Sequence, residues 1–286
     1  MTATSPRLPP GLRSRVLKAS LRARAAGGPF PEIPEISGAE AYRRAAEALY
    51  RTLHPLAASD WRRPTIRDLD VQSLVGHLTG VEDDMRRALA GDPDAETADH
   101  VASTQAAAAR QASRDPVRTR QEWRDAADGM LARVAGLDDH GIIVGVHGIR
   151  LPLNGLLVAR AFELWTHEND IRLSCGLPPA VPDPARLHQM TVLGAGLLPF
   201  AAHRSGLRRS ARVHLVLTGA GGGTWDVELG DEQPSHPVQA SIVIGAVGFC
   251  RLVANRATPA ELQPHITGDR EHAVAVLAAA RTLALD

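Results

Sequence analysis

A carboxylate and an imidazole four residues apart, Glu163 and His167, offer the clearest chemistry in this sequence. On a helix, this spacing places both side chains on one face, with their Cβ atoms roughly 6 Å apart. A carboxylate oxygen and an imidazole nitrogen so placed can both reach one divalent cation. Asp170 follows His167 by three residues and falls near the same face. We expect Asp170 to orient the imidazole from outside the ligand set, or to cap the helix end.

A third ligand has to come from another helix, and His77 is the best candidate. It lies among Leu74, Val75 and Leu78, where an imidazole without a partner would be costly. A plainer interpretation also fits these residues. A Glu/His pair four apart can simply support an exposed helix, and a histidine among leucines can be a satisfied core residue. Spacing alone leaves both interpretations open.

Apolar periodicity predicts the elements that must position these side chains. The expected helices are residues 38–56, 66–90, 97–115, 117–135, 154–175, 184–203, 245–255 and 269–285. His147-Gly148 separates two short β-branched runs, which predicts a hairpin over residues 141–153. Beyond Arg212, alternating apolar residues predict strands at 213–217, 224–229 and 238–244, with a short strand or turn at 262–267.

These elements predict an α+β protein in three parts. A basic N-terminal arm would occupy residues 1–37, a helical domain with the metal site residues 38–205, and a small α/β domain residues 206–286. Cys175 and Cys250 lie in apolar surroundings, and we expect both to be buried reduced thiols.

Composition narrows the classes of function. The chain has 32 Lys and Arg residues against 32 Asp and Glu residues, so it lacks the basic field of a general nucleic-acid binder. No apolar run approaches the roughly 18 residues that span a membrane, and the N-terminal residues form no uninterrupted apolar segment. We therefore expect a cytoplasmic protein, monomeric or homodimeric, with a small-molecule substrate and no nucleic-acid or membrane partner.

Two longer motifs contain the candidate ligands. They are Trp61-x-x-Pro64-Thr65-Ile66-Arg67-Asp68-Leu69 with Val75-Gly76-His77-Leu78, and Arg160-x-x-Glu163-Leu164-Trp165-Thr166-His167-Glu168-Asn169-Asp170-Ile171. In this order they resemble the mycothiol-dependent maleylpyruvate isomerase family, a branch of the DinB-like metalloenzyme superfamily. The resemblance covers roughly residues 38–286. It implies a DinB-like four-helix bundle followed by a small domain similar to sterol carrier proteins.

The resemblance also implies a metal site and a thiol. Zn²⁺, or another divalent metal, would bind His77, Glu163 and His167 and leave a fourth position open. Family members use mycothiol, an actinobacterial thiol, whose sulfur would bind there as a thiolate because the cation lowers its pKa. The metal-bound thiolate would add to an electrophilic substrate in a cis–trans isomerisation like that of maleylpyruvate isomerase. The alternatives are mycothiol S-transfer to another electrophile, metal-assisted hydrolysis, and a non-catalytic protein that binds a metal or ligand.

An arginine of the C-terminal domain is associated with activity in this family, and Arg256 lies at the matching place, with Arg251 as a weaker alternative. Its guanidinium could clamp a substrate carboxylate, or it could be a surface arginine. We expect the active site in the cleft between the two domains, with Arg256 reaching in from the tail. In the third helical region the isomerase-type member has an arginine. The nearest positions of this chain are Thr104-Gln105, with Arg110 further on. That departure weakens the case for maleylpyruvate itself as the substrate.

Overall fold

The structure, a computed structural model, describes residues 33–137, 141–207, 211–230 and 237–284. Most of the predicted basic arm at 1–37 lies outside these residues. The helices are α1 (Gly38–Leu53), α2 (Val71–Leu89), α3 (Pro93–Thr97), α4 (His100–Gln111), α5 (Pro116–Ala135), α6 (Leu153–Ser174), α7 (Pro184–Gly196), α8 (Leu198–Arg204), α9 (Ala246–Val253), α10 (Pro259–Leu262) and α11 (Arg270–Ala280). Two 3₁₀ turns are Asp60–Arg62 and Arg281–Leu283. The strands are β1 (Ile143–Val146), β2 (Ile149–Pro152), β3 (Ala211–Thr218), β4 (Gly223–Leu229), β5 (Val238–Gly245) and β6 (His265–Gly268).

The predicted α+β class is confirmed, with a helical N-terminal region followed by a small sheet. No helix in the described ranges combines the length and the apolar character needed to cross a membrane. The predicted hairpin is present as β1 and β2, which pair antiparallel from Ile143 opposite Pro152 to Val146 opposite Ile149. The bundle type and the likeness to sterol carrier proteins stay predictions.

The four long helices α1, α2, α5 and α6 bury one hydrophobic core, to which the hairpin also contributes. Leu49, Leu78, Met130 and Leu157, one from each helix, are fully buried in it. Burying a side chain of this size stabilises a fold by roughly 1.5–3 kcal/mol. The core therefore fixes α2 and α6, the two helices that carry the candidate ligands, against each other.

Helix α2 begins at Val71, not near Ile66 as the apolar pattern predicted. Arg67 and Asp68 have φ values of 50° and 59°, in the left-handed region that a right-handed helix cannot use. Asp70 instead caps the helix, because its side chain accepts a hydrogen bond of 2.7 Å from the Ser73 N–H.

The second core lies against a four-stranded sheet in the order β4-β3-β5-β6. Strands β3 and β5 are parallel, and the two outer pairs are antiparallel. Leu187 and Met190 of α7 and Leu198 of α8 pack into this core. These helices thus join the sheet, although the boundary predicted at 205/206, which stays a prediction, assigns them to the helical domain.

Helix α6 contributes to both cores. Phe162 and Trp165 belong to the core of the sheet, whereas Leu157 and Leu164 belong to the core of the long helices. The helix that carries two of the candidate ligands is therefore held from both sides.

Both cysteines are free thiols, as expected, but they differ in burial. Cys250 is fully buried, and burial raises its pKa well above the usual range. Cys175 follows α6 and is only partly buried, which corrects the prediction of a buried thiol. The last turn of a helix that ends at the surface leaves its side chains partly in water.

Candidate metal centre

His77, Glu163 and His167 converge between helices α2 and α6. One ligand atom from each lies within 4.8 Å of the other two. Glu163 Oε1 lies 3.6 Å from His77 Nε2 and 4.0 Å from His167 Nε2. Ligand atoms around a tetrahedral zinc ion lie about 3.3–3.5 Å apart. Small side-chain adjustments would therefore bring these three atoms onto one cation.

Each imidazole presents an unprotonated nitrogen to this point. The Thr104 hydroxyl uses its one proton to donate to the His100 carbonyl. In its 2.6 Å hydrogen bond with His77 Nδ1 it is therefore the acceptor, and Nδ1 carries the proton. His167 Nδ1 donates to Asp170 Oδ2 at 3.0 Å. A neutral imidazole carries one proton, so Nε2 of His77 and of His167 each offers a lone pair.

The atoms that face one another are buried and unsatisfied. Nε2 of His77, Nε2 of His167 and Oε1 of Glu163 have no hydrogen-bond partner within the part of the chain that the structure describes. A buried polar atom without a partner costs roughly 1–3 kcal/mol. Three acceptors meeting at one point suit a divalent cation, which would satisfy them all. The donor set, two imidazoles and a carboxylate, is one that zinc takes in catalytic sites.

Burial and charge put these groups in the protonation states that ligands need. Burial lowers the pKa of His77 to about 4, although the Glu163 carboxylate acts to raise it, so this ring is neutral at neutral pH. Burial acts to raise the pKa of Glu163, but the Arg160 guanidinium outweighs it and holds that pKa well below the usual range. Arg160 pairs with Glu163 and, at 2.8 Å, with the fully buried Glu82. One guanidinium between two carboxylates leaves an excess negative charge that favours a cation.

A chain of contacts runs from His167 through Asp170 to Arg256. Arg256 Nε donates to Asp170 Oδ1 at 2.8 Å, and Nη2 donates to Oδ2 at 2.9 Å. Arg256 Nη1 donates to the Ala254 carbonyl at 3.0 Å. Arg256 therefore contacts Asp170, and Asp170 in turn contacts His167, so that one side chain separates the guanidinium from the candidate ligand. Arg251, the alternative, is exposed.

A cavity of about 290 Å³ adjoins the candidate ligands, near the lower end for small-molecule sites. Its walls come from α2, the hairpin and α6, and also from α7, α8 and the C-terminal part of the chain, where Val253, Ala254, Leu283 and Ala284 contribute. Glu163 and His167 line it, and most other lining residues are apolar. Both predicted domains therefore supply walls, but Arg256 is not among the lining residues, and its reach into a cleft between the domains stays a prediction.

Sequence reasoning missed two histidines beside these ligands. His100 is the first residue of α4, and its Nε2 lies 3.4 Å from Glu163 Oε1. His147 stands in the hairpin turn, where its sequence signal was that of a turn alone. Neither residue has informative spacing to Glu163 along the chain, because only the packing of α4 and the hairpin brings them together.

Comparison with known proteins agrees with the two motifs. Residues 42–172 match the family model of the mycothiol maleylpyruvate isomerase N-terminal domain. Two similar solved structures are crystal structures of a mycothiol-dependent maleylpyruvate isomerase and of its histidine-to-alanine mutant. Each is 13% identical, covers 77% of this chain and 88% of the other, and has a TM-score of 0.51, which shows a shared fold. No curated protein matches significantly. Because the matched segment contains both predicted motifs, residues 42–172 belong to the mycothiol maleylpyruvate isomerase N-terminal domain family.

Proposed function

We propose that this chain is a mycothiol- and metal-dependent enzyme, with zinc as the metal, that carries out a cis–trans isomerisation like that of maleylpyruvate isomerase. The family assignment supports an enzyme. The observation that carries the proposal is the convergence of three buried, unsatisfied ligand atoms beside a mostly apolar cavity. The DinB-like bundle and the sterol carrier-like tail belong to the same proposal.

The ligands would be His77 Nε2, Glu163 Oε1 and His167 Nε2. A cation there would lower the pKa of the mycothiol sulfur, and the thiolate would add to a cis double bond and leave after rotation, returning the thiol with the trans product. The remaining work falls to residues of this chain. Thr104 and Asp170 fix the two imidazole tautomers, and Arg160 keeps Glu163 ionised.

The walls of the cavity shape what can react. Val81, Leu156 and Phe162 are among its apolar lining residues. Such walls would limit the access of water, so that the enolate formed by thiol addition is not trapped by protonation at carbon before the thiol leaves again. Arg256, acting through Asp170, would keep the His167 ring aligned, and we propose this as its main contribution to turnover.

The test is incubation of the zinc-loaded protein with mycothiol and a panel of cis enones that includes maleylpyruvate, followed by mass and geometry of the products. We expect a trans product of unchanged mass that forms only when the thiol is present. A persistent adduct would instead identify a transferase, and turnover without any thiol would overturn the proposal.

A variant of one ligand tests the metal itself. His77→Ala should lose the bound ion in elemental analysis, since two protein ligands seldom retain zinc against buffer. Exposed His54→Ala is the matched control and should retain about one ion per chain. Full metal occupancy in His77→Ala would remove His77 from the ligand set.

A further inference from the structure

A second cavity is lined by α1, α6 and α7 and by the segment between the last two helices. Its volume is about 800 Å³, which is within the range of small-molecule sites. Within the described ranges, it shares no lining residue with the cavity beside the candidate metal ligands. Five arginines and three carboxylates line it. Even with Glu40, which pairs with Arg43 and Arg44 from outside the walls, the charge stays positive. A cavity with this charge attracts anions.

Arg186 is the buried cation of this cavity. Its side chain is 5% exposed, and its Nε and Nη1 have no hydrogen-bond partner in the described part of the chain. Asp183 Oδ2 lies 3.8 Å from Nε, too far for a hydrogen bond. The other oxygen of Asp183 accepts from Arg44 Nη1 at 2.9 Å and from the Arg186 backbone N–H at 3.2 Å. The guanidinium is therefore buried with two donors unused, an arrangement that is costly without a ligand.

The charges around Arg186 leave it incompletely compensated. Burial, the largest effect, lowers the pKa of Arg186. Asp183 and Glu168 act to raise that pKa but do not prevail, and the positive charges of Arg51 and Arg44 act in the same direction as burial. An anion placed among these guanidinium groups would relieve their mutual repulsion.

The same cavity holds a buried acceptor. Glu168 is 2% exposed, and its Oε1 accepts from the Thr52 hydroxyl at 2.8 Å. Its Oε2 has no hydrogen-bond partner among the residues that the structure covers, and no ion pair joins it to Arg186 there. A ligand that satisfies both groups has to present oxygen acceptors to the guanidinium and an O–H to the carboxylate.

We propose that this cavity binds the phosphate group of a small molecule, with Arg186 as the buried anchor. A phosphate carries nearly two negative charges at neutral pH and three strong acceptor oxygens, which suits several arginines better than one carboxylate does. Arg51, which is 71% exposed, would approach the anion from the solvent side. Glu168 would accept from the O–H of a monoprotonated phosphate or from a hydroxyl of its ester. This site lies outside the candidate metal centre and goes beyond the proposed function.

The test is calorimetric titration of the zinc-loaded full chain with inorganic phosphate, with glycerol 3-phosphate and with uncharged glycerol. We expect both phosphates to bind and glycerol not to bind. Tighter binding of the ester would assign the site to a phosphorylated metabolite, and equal affinity would assign it to free phosphate. Arg186→Gln should lower the phosphate affinity by roughly 10–100-fold, and Arg51→Gln by about 2–5-fold. Arg133→Gln, on the exposed surface of α5, is the matched control and should leave the affinity unchanged.

The site is overturned if the wild-type chain binds neither phosphate, which would leave Arg186 as a structural cation. It is also overturned if a folded Arg186→Gln keeps the wild-type affinity, because phosphate would then bind at the metal or elsewhere. An equal loss of affinity in Arg133→Gln would show that phosphate responds only to the overall charge. If Arg186→Gln does not fold, unchanged affinity in the surface variant Arg51→Gln overturns the site by itself. Each of these results leaves the proposed metal site and isomerisation standing.

Discussion

Replacing Asp170 by asparagine should weaken the candidate metal centre without touching a ligand. The carboxylate accepts from His167 Nδ1 and pairs through both oxygens with Arg256. Asparagine keeps the shape of the side chain and one acceptor oxygen but removes the charge. The single remaining oxygen cannot serve both His167 and Arg256, and the amide NH₂ would face one of these donors. The His167 tautomer is therefore held less firmly, and Arg256 loses its counter-ion.

The size of both effects follows from burial. The Asp170 side chain is 8% exposed and that of Arg256 is 21% exposed, so water screens the pair weakly. Loss of such a partner lowers metal affinity by roughly 10–100-fold, which is about 1.4–2.8 kcal/mol. Breaking a buried ion pair costs about 3–5 kcal/mol, and the partial exposure of Arg256 brings our expectation to about 2–3 kcal/mol.

The pH dependence has a definite sign. Burial acts to raise the pKa of Asp170, but hydrogen bonds from His167 and Arg256 prevail and lower it. Because the folded-state pKa lies below the unfolded value of about 3.9, the ionised carboxylate stabilises the folded protein at pH values above about 3.9. This stabilisation is lost as the pH falls through the folded-state pKa. The stability difference between the wild-type chain and Asp170→Asn should therefore be full at pH 7 and shrink below about pH 4.

The assay is chelator competition for zinc affinity, together with denaturant unfolding of the metal-free protein at several pH values. Asp226→Asn is a matched control, because Asp226 also accepts from a histidine, His214, and an arginine, Arg212, each at 2.7 Å, but on the exposed sheet surface. It should leave zinc affinity unchanged. If Asp170→Asn binds zinc as tightly as this control does, Asp170 only caps the helix and the chain to Arg256 has no role in the site.

Three further changes have definite outcomes. Arg160→Met leaves Glu82 buried without its counter-ion and should lower the free energy of unfolding by about 3–5 kcal/mol. A loss below about 1 kcal/mol in denaturant titration would show that Arg160 does not compensate a buried charge on Glu82. Burial acts to raise the pKa of Asp84, but hydrogen bonds led by that from His147 hold it well below the usual range, so Asp84→Asn should destabilise the protein at pH 7 and progressively less below about pH 4. Its neighbour Asp83→Asn is the control. Parallel pH–stability curves for the wild-type chain and Asp84→Asn would show that the pKa of Asp84 is not lowered in the folded protein. Ala159→Phe should fill part of the cavity, abolishing turnover while elemental analysis finds the zinc retained; retained turnover would place the substrate elsewhere.

Local patterns in the sequence were sufficient for most of the fold. The change from helical to alternating periodicity located the hairpin and the sheet, and the apolar face of α6 located that helix to within a residue or two. The start of α2 was misplaced because Ile66 and Leu69 continue the apolar pattern through a turn whose backbone is left-handed at Arg67. Periodicity reports which side chains are apolar, and it carries no information on a single φ angle.

The residues of the candidate site also differ in whether a local sequence pattern could predict them. The helical spacing of Glu163 and His167 is a local property, so the sequence predicts that they share a face. His77 was a candidate because it lies among apolar residues, but only the family motif favoured it as a ligand over a core histidine, since the contact between α2 and α6 is long-range. His100 and His147 carried neither signal. The bidentate contact of Arg256 with Asp170 also depends on tertiary packing, which is why family position alone suggested a substrate contact for that arginine.

The sharing of α6 between two hydrophobic cores bears on how this protein loses its structure. Phe162 and Trp165 anchor one side of the helix in the core of the sheet, and Leu157 and Leu164 anchor the other side among the long helices. A single helix cannot be ordered for one core and melted for the other. The described region from α1 to α11 should consequently unfold in one cooperative transition, with calorimetric and van't Hoff enthalpies that agree. Damage to the sheet, far along the chain from His77, would then release a bound metal ion through the loss of the common helix.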